Sequence, residues 1–139
     1  MSIEAAVRAM LTAGGTLSGG ANGVPDERVT HGFRLQSTAL PAVTFEITSV
    51  GPGSIGSTGA SSGGIREAEV EIRCVAQEAV DAIDICTKVR AACVPGTYAT
   101  LSIDALLYRG HRVEAQASGE GDEAQPAEAV CELLIYYRE

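Results

Sequence analysis

The chain has 139 residues, 45% of them hydrophobic and 20% charged, with a formal net charge of −8. That length predicts a single domain, residues 1–139, able to bury about two-thirds of its unfolded surface. Ten scattered Lys and Arg against 18 acids exclude a protein that holds nucleic acid by neutralising phosphates, and 4% aromatics with no Trp leave no base-stacking platform.

Ile3, Val7, Met10 and Leu11 recur at helical spacing. They predict a first helix with Ser2 as its N-cap, Glu4 and Arg8 paired outside, and Gly14-Gly15 as its end. The start MSIEAAVRAMLTAGG has no basic segment before an apolar core, so no secretory signal is expected. No stretch approaches the ~20 apolar residues of a membrane span. The turn-rich GTLSGGANGVPDE follows.

Two strands come next. Val29, His31, Phe33 and Leu35 alternate with polar residues; Pro41 interrupts; then Val43, Phe45 and Ile47 alternate with Thr44, Glu46 and Thr48. This pattern predicts antiparallel sheet with one buried face. His31 falls on the apolar face, as a core histidine rather than a general base.

Residues 51–64, GPGSIGSTGASSGG, contain G-x-G-x-x-G. The dinucleotide fingerprint requires a helix to start at those glycines, and the other main phosphate loop requires G-K-[ST]. Here the glycines lead into a strand, with no lysine, so nucleotide binding is not expected. Six glycines and four serines in fourteen residues instead suggest a long hairpin tip that orders on assembly.

The third strand places Ala68, Val70, Ile72, Cys74 and Ala76 on one side and Glu67, Glu69, Glu71 and Arg73 on the other. Three carboxylates in a row repel one another, so water or a partner must solvate them. Residues 77–93 form a second helix with a stripe of Ala79, Ala82, Ile83, Cys86, Val89 and Cys93. Its acids precede its bases, as the helix dipole favours, and Val94-Pro95-Gly96 ends it.

Leu101, Ile103, Ala105 and Leu107 alternate again; Gly110-His111 reads as a hairpin turn, with His111 solvated, and Val113, Ala115 and Ala117 continue beyond it. An acidic loop over 118–128 precedes a last strand over 129–138. There Ala129, Cys131, Leu133, Ile135 and Tyr137 share one face, and Val130, Leu134 and Tyr136 lie on the other, which predicts cover on both sides by a helix or another subunit. The sum is an α+β fold, a mainly antiparallel sheet packed by one or two helices, with a long Gly/Ser hairpin loop.

Chemistry is sparse. Cys74, Cys86, Cys93 and Cys131 include no C-x-x-C, and only His31 and His111 could join them on zinc. Cys86 and Cys93 are about 10 Å apart along a helix, too far for a disulfide, while Cys74 and Cys131 could be neighbours. Buried reduced thiols are the expectation, with no metal site. No G-x-S-x-G is present, and no second cluster converges on the 67/69/71 carboxylates. No catalytic residue and no cofactor are expected.

The order of features resembles the tail-completion, or tail-terminator, family of long-tailed bacteriophages. The parts that match are the opening helix SIEAAVRAMLTA, the strand LPAVTFEITS after its proline, the block REAEVEIRCVAQEAVDAIDICTKVRAAC and the closing EAVCELLIYYRE. The chain departs from the family in lacking an aromatic at Cys74-Val75 and in the length of its glycine loop. The resemblance implies a non-enzymatic virion protein of the tail and neck, assembled in the host cytoplasm. It implies a ring, typically a hexamer, that ends tail-tube growth and offers a surface to the head-completion or connector protein. DNA would pass through without specific binding, and no membrane is involved. On that reading, Gly53, Ser54, Ile55, Gly56, Ser57, Thr58, Val130, Leu134 and Tyr136 are interface candidates, and Glu67, Glu69, Glu71, Glu120, Asp122 and Glu123 are lumen candidates. The alternatives are another neck or tail-tube component, and a small ligand-binding or enzymatic α+β domain.

Overall fold

The computed structural model describes residues 2–32, 39–52, 64–119 and 125–138. Its elements in chain order are α1 (Ile3–Thr12), β1 (Val29–His31), β2 (Ala42–Pro52), β3 (Arg66–Ala76), α2 (Ala79–Ala92), β4 (Gly96–Tyr98), β5 (Leu101–Ala115) and β6 (Ala127–Arg138), with 3-10 turns at Ala13–Gly15 and Asp26–Arg28. The six strands form one sheet in the order β1-β2-β3-β6-β5-β4. Four of the pairings are antiparallel, whereas β1 runs parallel to β2, so the α+β sheet is mixed.

The helix α1 forms as its sequence dictates. The Ser2 hydroxyl accepts from the Ala5 N–H at 3.2 Å, and Ile3, Ala6, Val7, Met10 and Leu11 are buried. Gly14 ends it with φ +71°, a conformation that suits glycine. Arg8 does not reach for Glu4. It donates to the backbone carbonyls of Val29 at 3.1 Å and Asp26 at 2.9 Å, which pins the helix to the start of the sheet.

The turn-rich stretch after α1 carries more packing than its composition suggests. Leu17 and Val24 are buried, and the Val24 N–H donates to the Leu17 carbonyl at 2.8 Å. Lys88 of α2 donates to the carbonyls of Gly19 and Ala21, and Asn22 donates to the carboxylates of Asp81 and Asp84. The polar side of α2 is therefore the anchor for this stretch.

Three expected strand patterns are corrected. First, the first strand is only three residues long, and His31 is exposed, tilted against Phe45 with ring centroids 5.3 Å apart, rather than in the core. Phe33 and Leu35 lie outside the described residues. Second, Gly110-His111 is no hairpin turn. β5 runs straight through it, and Gly110, at φ +110°, sits where the pairing with β6 slips between Tyr108 and His111. A glycine bulge bends a strand without reversing it. Third, another slip between Ile103 and Ala105 inverts the alternation. Leu101 and Ile103 are buried, but Ala105 and Leu107 turn outward, and Leu106 and Tyr108 pack on the core instead.

Both helices lie on one side of the sheet. α2 contacts β3, β5 and β6, while α1 contacts β1, β4 and α2. Their buried faces and the inward residues of the strands make one continuous core. The stripe of α2 is rotated slightly from its expected position: Ala82, Ile85, Cys86, Val89 and Ala92 are buried, Cys93 joins them just past the helix, and Ala79 and Ile83 are half-buried.

Candidate functional site

Two places concentrate chemistry, on opposite faces of the same three strands. The outer face of β3, β6 and β5 is the first. Pairing fixes its members. Glu71 lies between Glu46 of β2 and Glu132 of β6, Arg73 opposite Val130, and Glu69 opposite both Ser49 and Leu134. Val130 is in turn opposite Arg112, and Leu134 opposite Leu107. No described helix packs on this face.

The row of acids is not left to water alone. Arg73 donates to Glu71 at 2.8 Å and Glu128 at 3.4 Å, Arg109 to Glu69 at 3.4 Å, and Arg112 to Glu132 and Glu114 at 3.1 Å each. The lone strand suggested self-repulsion, but its neighbours bring the compensating guanidiniums. Arg109 and Arg112 sit on either side of the Gly110 bulge, which a one-strand reading cannot place. In this set acids still outnumber arginines: Glu46, Glu67, Glu69, Glu71, Glu114, Glu128 and Glu132 against Arg73, Arg109 and Arg112.

Val130 and Leu134 are buried on this face, on which no described helix packs. Long side chains on the flanking strands lie beside them, with Arg73 and Arg112 at Val130 and Glu69 and Leu107 at Leu134. Arginine stems cover apolar neighbours while their heads stay wet. Within one chain, Val130 and Leu134 are thus already buried beside their neighbours on the sheet. Tyr136 is half-buried, opposite Glu67. Leu107 remains 54% exposed at the rim.

The sheet's outer strands are also left open. β4 pairs with β5 only over Leu101–Ile103, and β1 pairs with β2 only over Val43–Phe45. Among the described residues, nothing else pairs with the outer edges of β5 beyond Ile103 or of β2 beyond Phe45 apart from one bond from the Gly32 N–H to the Phe45 carbonyl.

The other expected site residues fall as follows. Gly53, Ser54, Ile55, Gly56, Ser57 and Thr58, and the lumen candidates Glu120, Asp122 and Glu123, lie outside the described residues. The glycine segment does connect two paired strands, since Pro52 stands opposite Arg66. Glu67, Glu69 and Glu71 share one face with Val130, Leu134 and Tyr136, so lumen and interface candidates occupy a single surface.

The second place is the inner face, beneath α2. Cys74 of β3, Cys86 of α2 and Cys131 of β6 bring their sulfurs within 4.8 Å of one another, all fully buried. Cys74 and Cys131 were legible as possible neighbours. Cys86 was missed as the third, although its position in the helix stripe that faces the sheet was the available signal. The Cys131 thiol also contacts the Ile72 carbonyl at 3.7 Å. Hydrogen bonding to Cys131 and Cys86, with burial, pushes the Cys74 thiol well up. Donation from Cys74 pulls Cys131 down, but hydrogen bonding to Cys86 and burial outweigh it and raise it overall. Cys86 is lowered, because Cys131 and Cys74 both donate to it. Cys93 stands apart, pushed up to about 12 by burial alone.

His111, expected in a turn, lies on β5 with its Nδ1 3.4 Å from the Tyr108 hydroxyl. An open cleft of about 630 Å³ at one end of the sheet, among Leu40, Gln77, Glu78, Ser118 and Gln125, includes only one carboxylate among its described lining residues. No helix among the described residues is long and apolar enough to cross a membrane. Neither a family model nor a curated protein matches this chain.

Proposed function

We propose that this protein is a self-associating structural component of a phage tail, forming a ring at the head-proximal end of the tail tube that ends tube growth and presents the head-attachment surface. The observation that carries the reading is the acidic outer face of β3, β6 and β5, on which no described helix packs, bordered by the exposed Leu107 and by an edge of β5 that no described strand pairs beyond Ile103.

An open strand edge displays unpaired N–H and C=O groups that a neighbouring chain can satisfy. Head-to-tail contacts between two different surfaces close into a ring when the rotation permits. Copies joined in this way would bury edges and rims while keeping a carboxylate-rich face available. Facing a lumen, that face would discourage DNA from sticking, because like charges repel within about a Debye length, ~8 Å at physiological salt. The arginine pairing tempers the charge without reversing it. The partners on this reading are further copies of the chain, six in a ring by the family resemblance alone, the tail-tube protein and the head connector.

Sedimentation of the full chain and electron microscopy of the product test the proposal. Closed rings, or monomers that cap isolated tube ends and stop their growth, are the expected outcomes. A chain that stays monomeric at high concentration and ignores tube ends would end it. Capping of neither tube end, with labelling found along the tube wall, would point instead to another tube component.

A further inference from the structure

We propose that Cys74, Cys86 and Cys131 form a binding site for one thiophilic d10 cation of the Cu(I) class, held by three sulfurs beneath α2. Three observations converge. The sulfurs come from three different elements, β3, α2 and β6, yet lie within 4.8 Å of one another. A cation bound at a metal–sulfur distance of about 2.3 Å would set three sulfurs about 4 Å apart in a trigonal plane, so the required contraction is small. All three side chains are fully buried, which shields the sulfurs from bulk water.

Ligand chemistry selects the metal class. Thiolates are soft donors that favour Cu(I), zinc and iron–sulfur clusters. Structural zinc requires four ligands in a tetrahedron. Among the described residues the group contains only these three donors, and neither histidine belongs to it. Three-coordinate binding is satisfactory for Cu(I) and incomplete for zinc.

The surroundings suit a site that becomes negative when its thiols lose their protons to the metal. His111 stands opposite Cys131 in the sheet, and its Nδ1 lies 3.4 Å from the Tyr108 hydroxyl. The Arg90 guanidinium lies 5.2 Å from the centre of the Tyr108 ring. Such supporting groups tune a metal site from behind its ligands. The site is independent of the assembly reading: it lies on the inner face, and a monomer carries all of it.

The test is anaerobic titration of the reduced full chain with Cu(I) against a colorimetric Cu(I) chelator, with Cys86→Ala and Cys93→Ala alongside. Cys93 is the control, a buried thiol next to α2 but outside the trio. The parent and Cys93→Ala are expected to take up one Cu(I) per chain, with a thiolate-to-metal charge-transfer band and a raised melting temperature. Cys86→Ala should lose more than the roughly 10–100-fold that removal of a supporting group costs. Circular dichroism of the metal-free variants establishes that each is folded; if Cys86→Ala is not, Cys131→Ser replaces it with the same expectation. Parent protein that leaves Cu(I) with the chelator overturns the proposal. So does uptake unchanged in the folded trio variant or lost in Cys93→Ala, and so does zinc displacing Cu(I) at equal concentration.

Discussion

The β3–β6 pair presents two faces made by alternate residues of the same strands. Inward, Val70, Ile72 and Cys74 meet Leu133, Cys131 and Ala129 under α2, and every one of them is buried. Outward, Glu69, Glu71 and Arg73 meet Leu134, Glu132 and Val130 with no described helix above them. The inner face is held by apolar burial that ordering the backbone alone could never supply. The outer face keeps its two apolar residues dry with the stems and ion pairs of its own neighbours. A one-residue change of register would exchange the two sets, so the pairing itself is fixed by which residues must be buried.

The sharpest way to break this comparison is to cut a side chain from the inner face. Ile72→Ala should destabilise the monomer by about 2–5 kcal/mol, the transfer loss plus an unfilled cavity among close-packed neighbours. Urea unfolding gives the value. A loss below about 1 kcal/mol would mean that the inner face is looser than its burial indicates.

An outward change should separate folding from assembly. Leu107→Glu alters a residue that is already exposed, so the monomer's stability should change by less than about 0.5 kcal/mol. Self-association should weaken by about tenfold or more, equivalent to ~1.4 kcal/mol, as expected for the loss of an apolar anchor at an interface. Sedimentation velocity measures the second and thermal unfolding the first. Equal effects on both would make Leu107 a folding residue and take away the rim's role in assembly.

Periodicity made one half of this comparison far more legible than the other. The inner faces of α1, β3 and β6 follow from spacing alone, since burial in a regular element repeats with that element's period. β5 was misread because three slips in its register with β6 break the period, and such a slip is a property of a pair of strands rather than of one. The strand at Val29 was legible, but its parallel direction was not, for a related reason: only the position of β2 gives Val29 its partner, Val43. The outer face was half legible. Its acids and Arg73 stood out on β3, but Arg109 and Arg112 come from β5, and long-range pairing is not written in local spacing. The thiol trio lay within reach of a careful reading, as three cysteines on three inward faces. What no spacing could supply was the overlap of α2 with the β3–β6 seam.

Arg73 allows a finer cut through the outer face, because it has two jobs. Its head bridges Glu71 and Glu128, and its stem stands beside Val130. The ion pairs are partly exposed, so their loss should be modest, roughly 0.2–1 kcal/mol, and weaker at high salt. Arg73→Met retains a long apolar stem and Arg73→Ala does not. Arg73→Ala should therefore be the less stable of the two, by an increment that salt does not change. Unfolding at low and high ionic strength separates the contributions, and identical variants would assign all of the effect to charge.

The smallest expected effect is electrostatic and lies at the far end of β6. Arg138 donates to both oxygens of Asp104, at 2.6 and 3.1 Å, and Ser102 adds a bond of 2.9 Å. Arg138 first, then Ser102, holds the Asp104 carboxyl below its ordinary value. A carboxylate whose folded value is lowered contributes stability that is fully present above its unfolded value, about 3.9, and is lost as the pH falls through the folded value. Any stability difference between the parent and Arg138→Ala should therefore be constant near neutral pH and vanish in acid below that window. Carboxyl NMR titration is the direct check, with Asp104 returning toward the ordinary aspartate range in the variant. An unchanged titration would mean that the pair is not maintained in solution. Because this pair stands in solvent, away from both the thiols and the arginine lattice, its loss should leave inner-face packing untouched, and that contrast with Ile72→Ala measures how separately the two faces are built.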